Sequence, residues 1–388
     1  MTALRTYLSN ASVNRLSIHT ALHALAWGMS GNFFIVYLLS HGITPVKLFL
    51  YLPIVYSLRF VFRPIVLYAA PRLGSRCTLY IGSFFFAMQY LVLGRVTGAD
   101  NVLWIYCLLN ALSGIFYFVS YHAIFAFSGD DTHRGKQIGA REALATVANI
   151  AAPLIGGFSI DHFSPQLTFG MAAIIELIAI FPLLRVPDMP IAKIRPKGAY
   201  SAVYQGAFIY MTDGWISVGF VFVWAAMLSS STGDSFTTFG SALALSGLVS
   251  AIGGMFLGKL IDGGKARYAV LLNGALLLMG LVLRAFTGSS LSAMFATAAA
   301  SSLLGATYIP VLITAVYGLA AKAPCPLRFV FATETAWDVG CVSACLAVSV
   351  LLSAGVNIGW VVLLAVPAAI VQMVLLRTCY AKHSIKKV

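Results

Sequence analysis

Long apolar runs alternate with short polar breaks along the whole chain. Twelve runs are long enough to cross a bilayer, since about 20 residues span the hydrocarbon. They fall at about 15–40, 46–70, 77–97, 102–128, 137–160, 166–185, 201–228, 237–261, 268–287, 291–320, 328–354 and 357–379. Each is too long for a transmembrane strand of about 9–11 residues, and none has the period-two alternation of an outer-membrane barrel. The pattern predicts an all-α membrane protein of twelve transmembrane helices. The breaks carry turn chemistry, as in His41-Gly-Ile-Thr-Pro45, Thr97-Gly-Ala-Asp-Asn101 and Asp262-Gly-Gly-Lys265.

One break differs from the rest. Arg185 to Lys197 holds four basic residues (Arg185, Lys193, Arg195, Lys197) and three prolines (Pro187, Pro190, Pro196). Prolines at that density rule out a continuous helix. The stretch has 184 residues before it and 191 after it. It reads as a linker, 186–200, between an N-terminal half, 15–185, and a C-terminal half, 201–379. Residues 1–14 precede the first half and a basic tail, 380–388, ends the chain. The halves echo one another. Leu73-Gly-Ser-Arg76 follows the second run and Asp262-Gly-Gly-Lys-Ala-Arg267 the eighth; Gly139-Ala-Arg-Glu142 opens the fifth and Phe331-Ala-Thr-Glu334 the eleventh. Both offsets are about 190 residues, which predicts two pseudo-symmetric six-helix halves in parallel duplication.

Composition agrees with a membrane class. Hydrophobic residues make up 60% and charged residues 10%, against roughly 45–50% and 25% in soluble domains. The net charge of +13 would point to nucleic acid in a soluble protein, but the placement of the charges accounts for it otherwise. Of 25 Lys and Arg, 20 fall on the side of the membrane that holds the N-terminus. Lys47, Arg95 and Arg284 fall on the other, and Arg59 and Arg63 lie within a run. The bias predicts both termini in the cytoplasm, in an inner or plasma membrane, with the linker against anionic head groups. No nucleic-acid partner is expected. No removable signal sequence is expected in Met1 to Asn14. The six cysteines sit in apolar runs or inner loops, as small core residues do. There is no Walker-type phosphate loop, and no cofactor is expected.

Three motifs make the chain similar to the major facilitator superfamily over essentially its whole length. Gly258-Lys-Leu-Ile-Asp262-Gly-Gly-Lys265-Ala-Arg267 resembles the loop between the second and third helices of a half. Its first-half copy, Pro71-Arg72-Leu-Gly74-Ser-Arg76, lacks the aspartate. His133-Arg134-Gly135-Lys136 is similar to the basic loop before the fifth helix. Ala148-Asn-Ile-Ala-Ala152-Pro153-Leu-Ile-Gly156-Gly157 resembles the fifth-helix antiporter motif, with alanine in place of two glycines. The resemblance implies a secondary transporter in which Arg134, Asp262, Arg267, Pro153, Gly156 and Gly157 serve gating or tight packing. Many proton-coupled members have an arginine in the fourth helix. Asn110-Ala-Leu-Ser-Gly114 stands there instead.

Ionisable residues inside spans are costly and mark function. Arg59 and Arg63 are one turn apart on the second run and share a face. Arg63 lies nine residues before Arg72, and Asp338 ten residues after Arg328. At 1.5 Å per residue both sit about 14–15 Å along their helices, so their depths match. The resemblance brings the second and eleventh helices together, so Arg63, with Arg59, is expected to pair with Asp338 or Glu334. That pair is either a gate that breaks and re-forms or a permanent structural contact. Asp213, near the middle of the seventh run, is the first choice for a protonatable or cation-binding group, or else a hydrogen-bond partner of Tyr308. Glu142 and Glu334 are assigned to gating. His19, His23 and Trp27 share one face of the first run. His23 is a candidate proton carrier because imidazole titrates near neutrality. No further ligands complete a metal site. Asn110, Asn149 and Tyr308 are expected to line a cavity, and Glu176 stands alone.

The leading expectation is alternating-access transport of a small amphipathic or anionic organic solute by a monomer, as proton-coupled export and without enzymatic activity. Two alternatives stay open. One is uptake or uniport of an organic anion held by Arg59 and Arg63, and the other is a non-transporting receptor on the same fold.

Overall fold

A computed structural model describes residues 10–128, 134–191, 193–200, 203–233, 235–262 and 266–384. Every regular element among them is helical. Eleven helices are long and apolar enough to cross a membrane: α1 (Ala11–Ser40), α2 (Pro45–Phe62), α3 (Ser75–Leu93), α4 (Asn101–Ser128), α5 (Arg134–His162), α6 (Pro165–Leu183), α7 (Val203–Thr232), α8 (Phe236–Asp262), α10 (Leu291–Lys322), α11 (Pro326–Ser353) and α12 (Ile358–Tyr380). Between them, α9 (Ala266–Ala285) carries a shorter apolar stretch, Val270–Ala285. The order is consistent with the twelve runs read from the sequence.

Local chemistry starts these helices where the polar breaks predict. Thr44 caps α2, its hydroxyl accepting from the Lys47 amide, with Pro45 in the first turn. Ser164 and Pro165 repeat the device at α6. A capping hydroxyl satisfies an orphan amide, and proline there has no amide to leave orphaned. Polarity runs opposite to that of a soluble protein. Val147, Phe181, Phe286 and Val350 are each 67% exposed, whereas Arg63, Asp338 and Glu176 are fully buried. A bilayer solvates the first group, and only the protein can satisfy the second.

Two long seams join the helices before the linker to those after it: α2 lies along α11, and α5 along α8. The α5–α8 seam is tight. A Cβ on Gly157 would collide with the Phe236 carbonyl, and one on Gly240 with the Pro153 carbonyl. The seam ends at Asp161, whose carboxylate accepts from the Phe236 and Thr237 amides at the start of α8 (3.1 and 2.8 Å). The Pro153–Gly157 motif is therefore a packing surface, as small residues in membranes are. The α7–α11 contact is equally close, for Gly340 lies against the Met211 carbonyl and Gly214 against that of Trp337. Gly340→Ala is expected to cost about 1–3 kcal/mol, since backbone must move to admit the methyl. A thermal melt of the purified protein checks this, and an unchanged midpoint would mean that the seam yields.

Several helices are broken, and two of the breaks meet at one cavity. α1 is interrupted by a 3-10 turn at Gly31–Phe33, and α7 by a π segment at Val218–Val223. α2 breaks at Arg63 and resumes as Pro64–Leu73, and α10 breaks between Leu304 and Tyr308. Irregular backbone is tolerated at membrane depth where it lines a cavity. Gly31, Asn32 and Phe220 to Phe222 do line one.

Candidate functional site

That cavity, about 440 Å³, is formed by helices from both sides of the linker. Its walls are mainly aromatic, among them Trp27, Phe86, Phe118, Trp224 and Trp337. Two arginines, Arg59 and Arg284, reach it, and no aspartate or glutamate does among the described residues.

Behind Arg59 lies a buried quartet of charges across the α2–α11 seam. Arg63 donates to Asp338. Its other terminal nitrogen lies 3.6 Å from Glu334, as does one of Arg59. Arg59 Nε lies 3.2 Å from Asp338. The one-turn spacing of Arg59 and Arg63 meets the one-turn spacing of Glu334 and Asp338, so two cations face two anions. The quartet is incompletely satisfied: Arg63 Nε and Nη1 and Asp338 Oδ1 make no hydrogen bond. Arg59 also lies 5.3 Å from the centre of the Trp337 ring and 5.6 Å from that of Phe118, within cation–π range.

The quartet continues toward the end of the bundle that carries the basic loops. His122 Nε2 is 3.7 Å from Glu334, and its Nδ1 is 2.5 Å from the Tyr317 hydroxyl. Arg141 donates to that hydroxyl at 3.0 Å and to Glu142. Glu142 and Glu334 thus belong to one network, linked through His122 and Tyr317. Neither of those two was assigned a role from the sequence. A histidine followed through a mid-span tyrosine-rich face, Tyr117-Phe-Val-Ser-Tyr121-His122, was the available signal.

Asp213 is 8% exposed and accepts from the Tyr308 hydroxyl and from Trp337 Nε1 at 2.8 Å. No basic side chain pairs with it among the described residues. The close approach at Gly214 and Gly340 is what lets one carboxylate reach the indole across the seam. His23 is paired: its Nδ1 lies 2.8 Å from Glu176, which the sequence left alone. His19 meets the Ala179 carbonyl and the Tyr117 hydroxyl, at 2.7 and 3.0 Å.

Of the expected lining residues, Trp27, Asn110 and Arg59 face the cavity. Asn149 does not; it is exposed on α5, one turn before Pro153 on the α8 side and away from the cavity's lining. Tyr308 is turned away to Asp213. Arg63, expected in one alternative to hold the solute with Arg59, is instead enclosed by Asp338 and Glu334. Arg284, read as a surface charge, is 3% exposed and reaches the cavity from the end of α9. The side chains of Arg134, Asp262 and Arg267 lie outside the described residues. The aspartate missing from the first-half loop has a counterpart in the linker. Asp188 accepts from Ser75 Oγ and the Arg76 amide at 2.5 and 3.1 Å, at the start of α3.

The sequence matches the model of the Major Facilitator Superfamily over residues 16–322. The chain belongs to the major facilitator superfamily. Solved structures of transporters share the fold. The nucleoside transporter NupG (D323A mutant) is 13% identical with a TM-score of 0.65, over 95% of this chain and 99% of that one. The POT family transporter PepTSo is 14% identical at 0.66, over 95% and 98%. The human organic anion transporter MFSD10 is 18% identical at 0.66, over 94% and 99%. At such identities the likeness concerns the fold. A comparison with curated protein sequences gives no match. As a superfamily member with this many apolar helices, the protein is an integral multi-pass membrane protein of a transporter family.

Proposed function

We propose that this superfamily member is a secondary active transporter that moves a small amphipathic or anionic organic solute by alternating access. The observation that carries the reading is the cavity between the two groups of helices, backed by an ion quartet across the α2–α11 seam. In this reading the halves are 15–185 and 201–379, they rock about the cavity, and the linker 186–200 joins them. Both termini and the linker face the cytoplasm, and the protein works as a monomer among lipids. No enzymatic step is required.

The quartet is suited to a gate. Its charges balance, so it is tolerated in the membrane, yet several of its donors are unmatched. A buried pair of that quality has desolvation cost comparable to its attraction, so two arrangements can lie close in energy. His122, Tyr317, Arg141 and Glu142 extend the same closure toward the basic end.

Proton coupling is assigned to Asp213. As a carboxylate it accepts from both Tyr308 and Trp337. Once protonated it can donate to the Tyr308 oxygen, whose hydroxyl turns to accept, and the Trp337 bond loses its charged acceptor and weakens. The Trp337 ring lines the cavity, so that weakening reaches the solute. The His23–Glu176 pair, next to the cavity residues Trp27 and Phe86, is a second proton-accepting position. The α5 motif supports export as the direction. Purified protein in liposomes tests the whole. A screen of amphipathic organic solutes should find one whose flux responds to an imposed pH gradient. Flux indifferent to the gradient would remove the coupling, and no flux for any solute would favour a receptor on this fold.

A further inference from the structure

Arg284 has a chemistry that the transport reading does not yet use. It sits at the end of α9 with its guanidinium carbon 3.6 Å from the centre of the Phe220 ring and 4.7 Å from that of Trp224. These two rings are one turn apart on α7 and form an aromatic sleeve for the cation. Nε donates to Ser301 Oγ at 2.8 Å, and Nη1 donates to the Phe220 carbonyl. Phe220 lies inside the π segment, where the helical ladder departs from its regular pattern. Two edges of the guanidinium are thus fixed by the protein, and the second Nη is left without a protein partner among the described residues.

Three other buried arginines have a carboxylate. Arg59 and Arg63 share Glu334 and Asp338, and Arg141 has Glu142. Arg284 has none among the described residues, and the cavity it reaches has no acidic wall. An uncompensated cation at membrane depth is costly, so the site is electrostatically complete only with an anion in it. A planar guanidinium with its donors already oriented matches a carboxylate better than a point charge does. The rest of the lining is chiefly aromatic and aliphatic, and the cavity is about 440 Å³, within the roughly 300–1,000 Å³ of small-molecule pockets.

We infer that Arg284, held by Phe220 and Ser301 at the π segment of α7, is the anchor for the carboxylate of an amphipathic organic acid whose apolar body fills the aromatic cavity. This rests on the transport reading for its setting and adds the charge and class of the solute. Arg59, already balanced by the quartet, contributes its ring-stacked face and not the primary charge.

Titration of the full-length purified protein with three matched probes tests the inference: 2-naphthoate, the neutral 2-naphthamide and the cationic 2-naphthylmethylamine. The carboxylate is expected to bind at least tenfold more tightly than the amide, and the amine not at all. Arg284→Gln should remove the tenfold preference, bringing carboxylate binding down to that of the amide. Arg284→Lys, which keeps the charge but not the fork, should keep part of it and serves where the glutamine variant does not fold. Equal binding of naphthoate and naphthamide to the wild type overturns the inference without recourse to any variant. An undiminished preference in Arg284→Gln overturns it as well. Liposome flux separates the two readings. Carboxylate binding through Arg284 without flux of any solute sinks transport and leaves the site. Flux of the amide or the amine with no carboxylate preference sinks the site and leaves transport.

Discussion

Arg63→Ala and Asp338→Ala are each expected to bring solute flux down to that of protein-free liposomes, a loss of at least a hundredfold. Removing one partner of a buried pair leaves the other charge uncompensated, at a cost of about 3–5 kcal/mol. Both single variants should therefore also melt lower. Loss of flux alone does not distinguish a moving gate from a static brace. The double variant Arg63→Met with Asp338→Leu does. It removes the pair without stranding a charge, and Arg59 and Glu334 still balance one another at 3.6 Å. Apolar replacement of a buried pair is often neutral or stabilising. The double variant should therefore be well folded yet transport-dead, because the seam has lost the contact that must break and re-form. Wild-type flux from a stable double variant would show that Arg63 and Asp338 only brace the seam. The swap Arg63→Asp with Asp338→Arg should restore part of the flux.

This pairing was legible before the structure. Arg63 and Asp338 lie at matched depth by helical rise alone, and their helices adjoin in the family the motifs resemble. Tyr308 was likewise foreseen as the partner of Asp213. What escaped the sequence followed from backbone irregularity and tilt. Arg284 lies near the end of an apolar run, and counting residues there cannot separate a surface cation from one drawn inward. The π segment that receives it, Val218–Val223, has no proline or glycine pair to mark it, unlike the break at Arg63–Pro64. Glu176 looked isolated because its partner, His23, comes from a helix 153 positions away in the chain. Asn149 lies along the α5–α8 seam and not at the cavity, because helix spacing gives its face but not how far along the helix the cavity extends.

Asp213→Asn should abolish the response of flux to a pH gradient while leaving solute exchange between the two sides of the membrane intact. The amide keeps the size of the side chain and can still accept from Trp337 Nε1, so the cavity wall should stand. It cannot take up or release a proton, so the switch between accepting from both Tyr308 and Trp337 and donating to the Tyr308 oxygen is lost. Driven flux should fall about tenfold or more, to the rate seen without a gradient. Counterflow of labelled against unlabelled solute should stay within about twofold. Trp337→Phe separates the proton site from its reporter: it removes the indole donor at 2.8 Å and keeps a ring at the cavity. That variant should still bind protons at Asp213 but transmit them poorly, giving weak gradient dependence with intact binding. The groups near Asp213 are Tyr210 on its own helix, Tyr308 from α10, and Trp337 and Glu334 from α11. Glu334 is already engaged by two arginines, so Asp213 is the acid free to cycle. Full gradient dependence in Asp213→Asn would move the coupling site elsewhere. Glu176→Gln, which neutralises the acid beside His23, is then the variant that should abolish it.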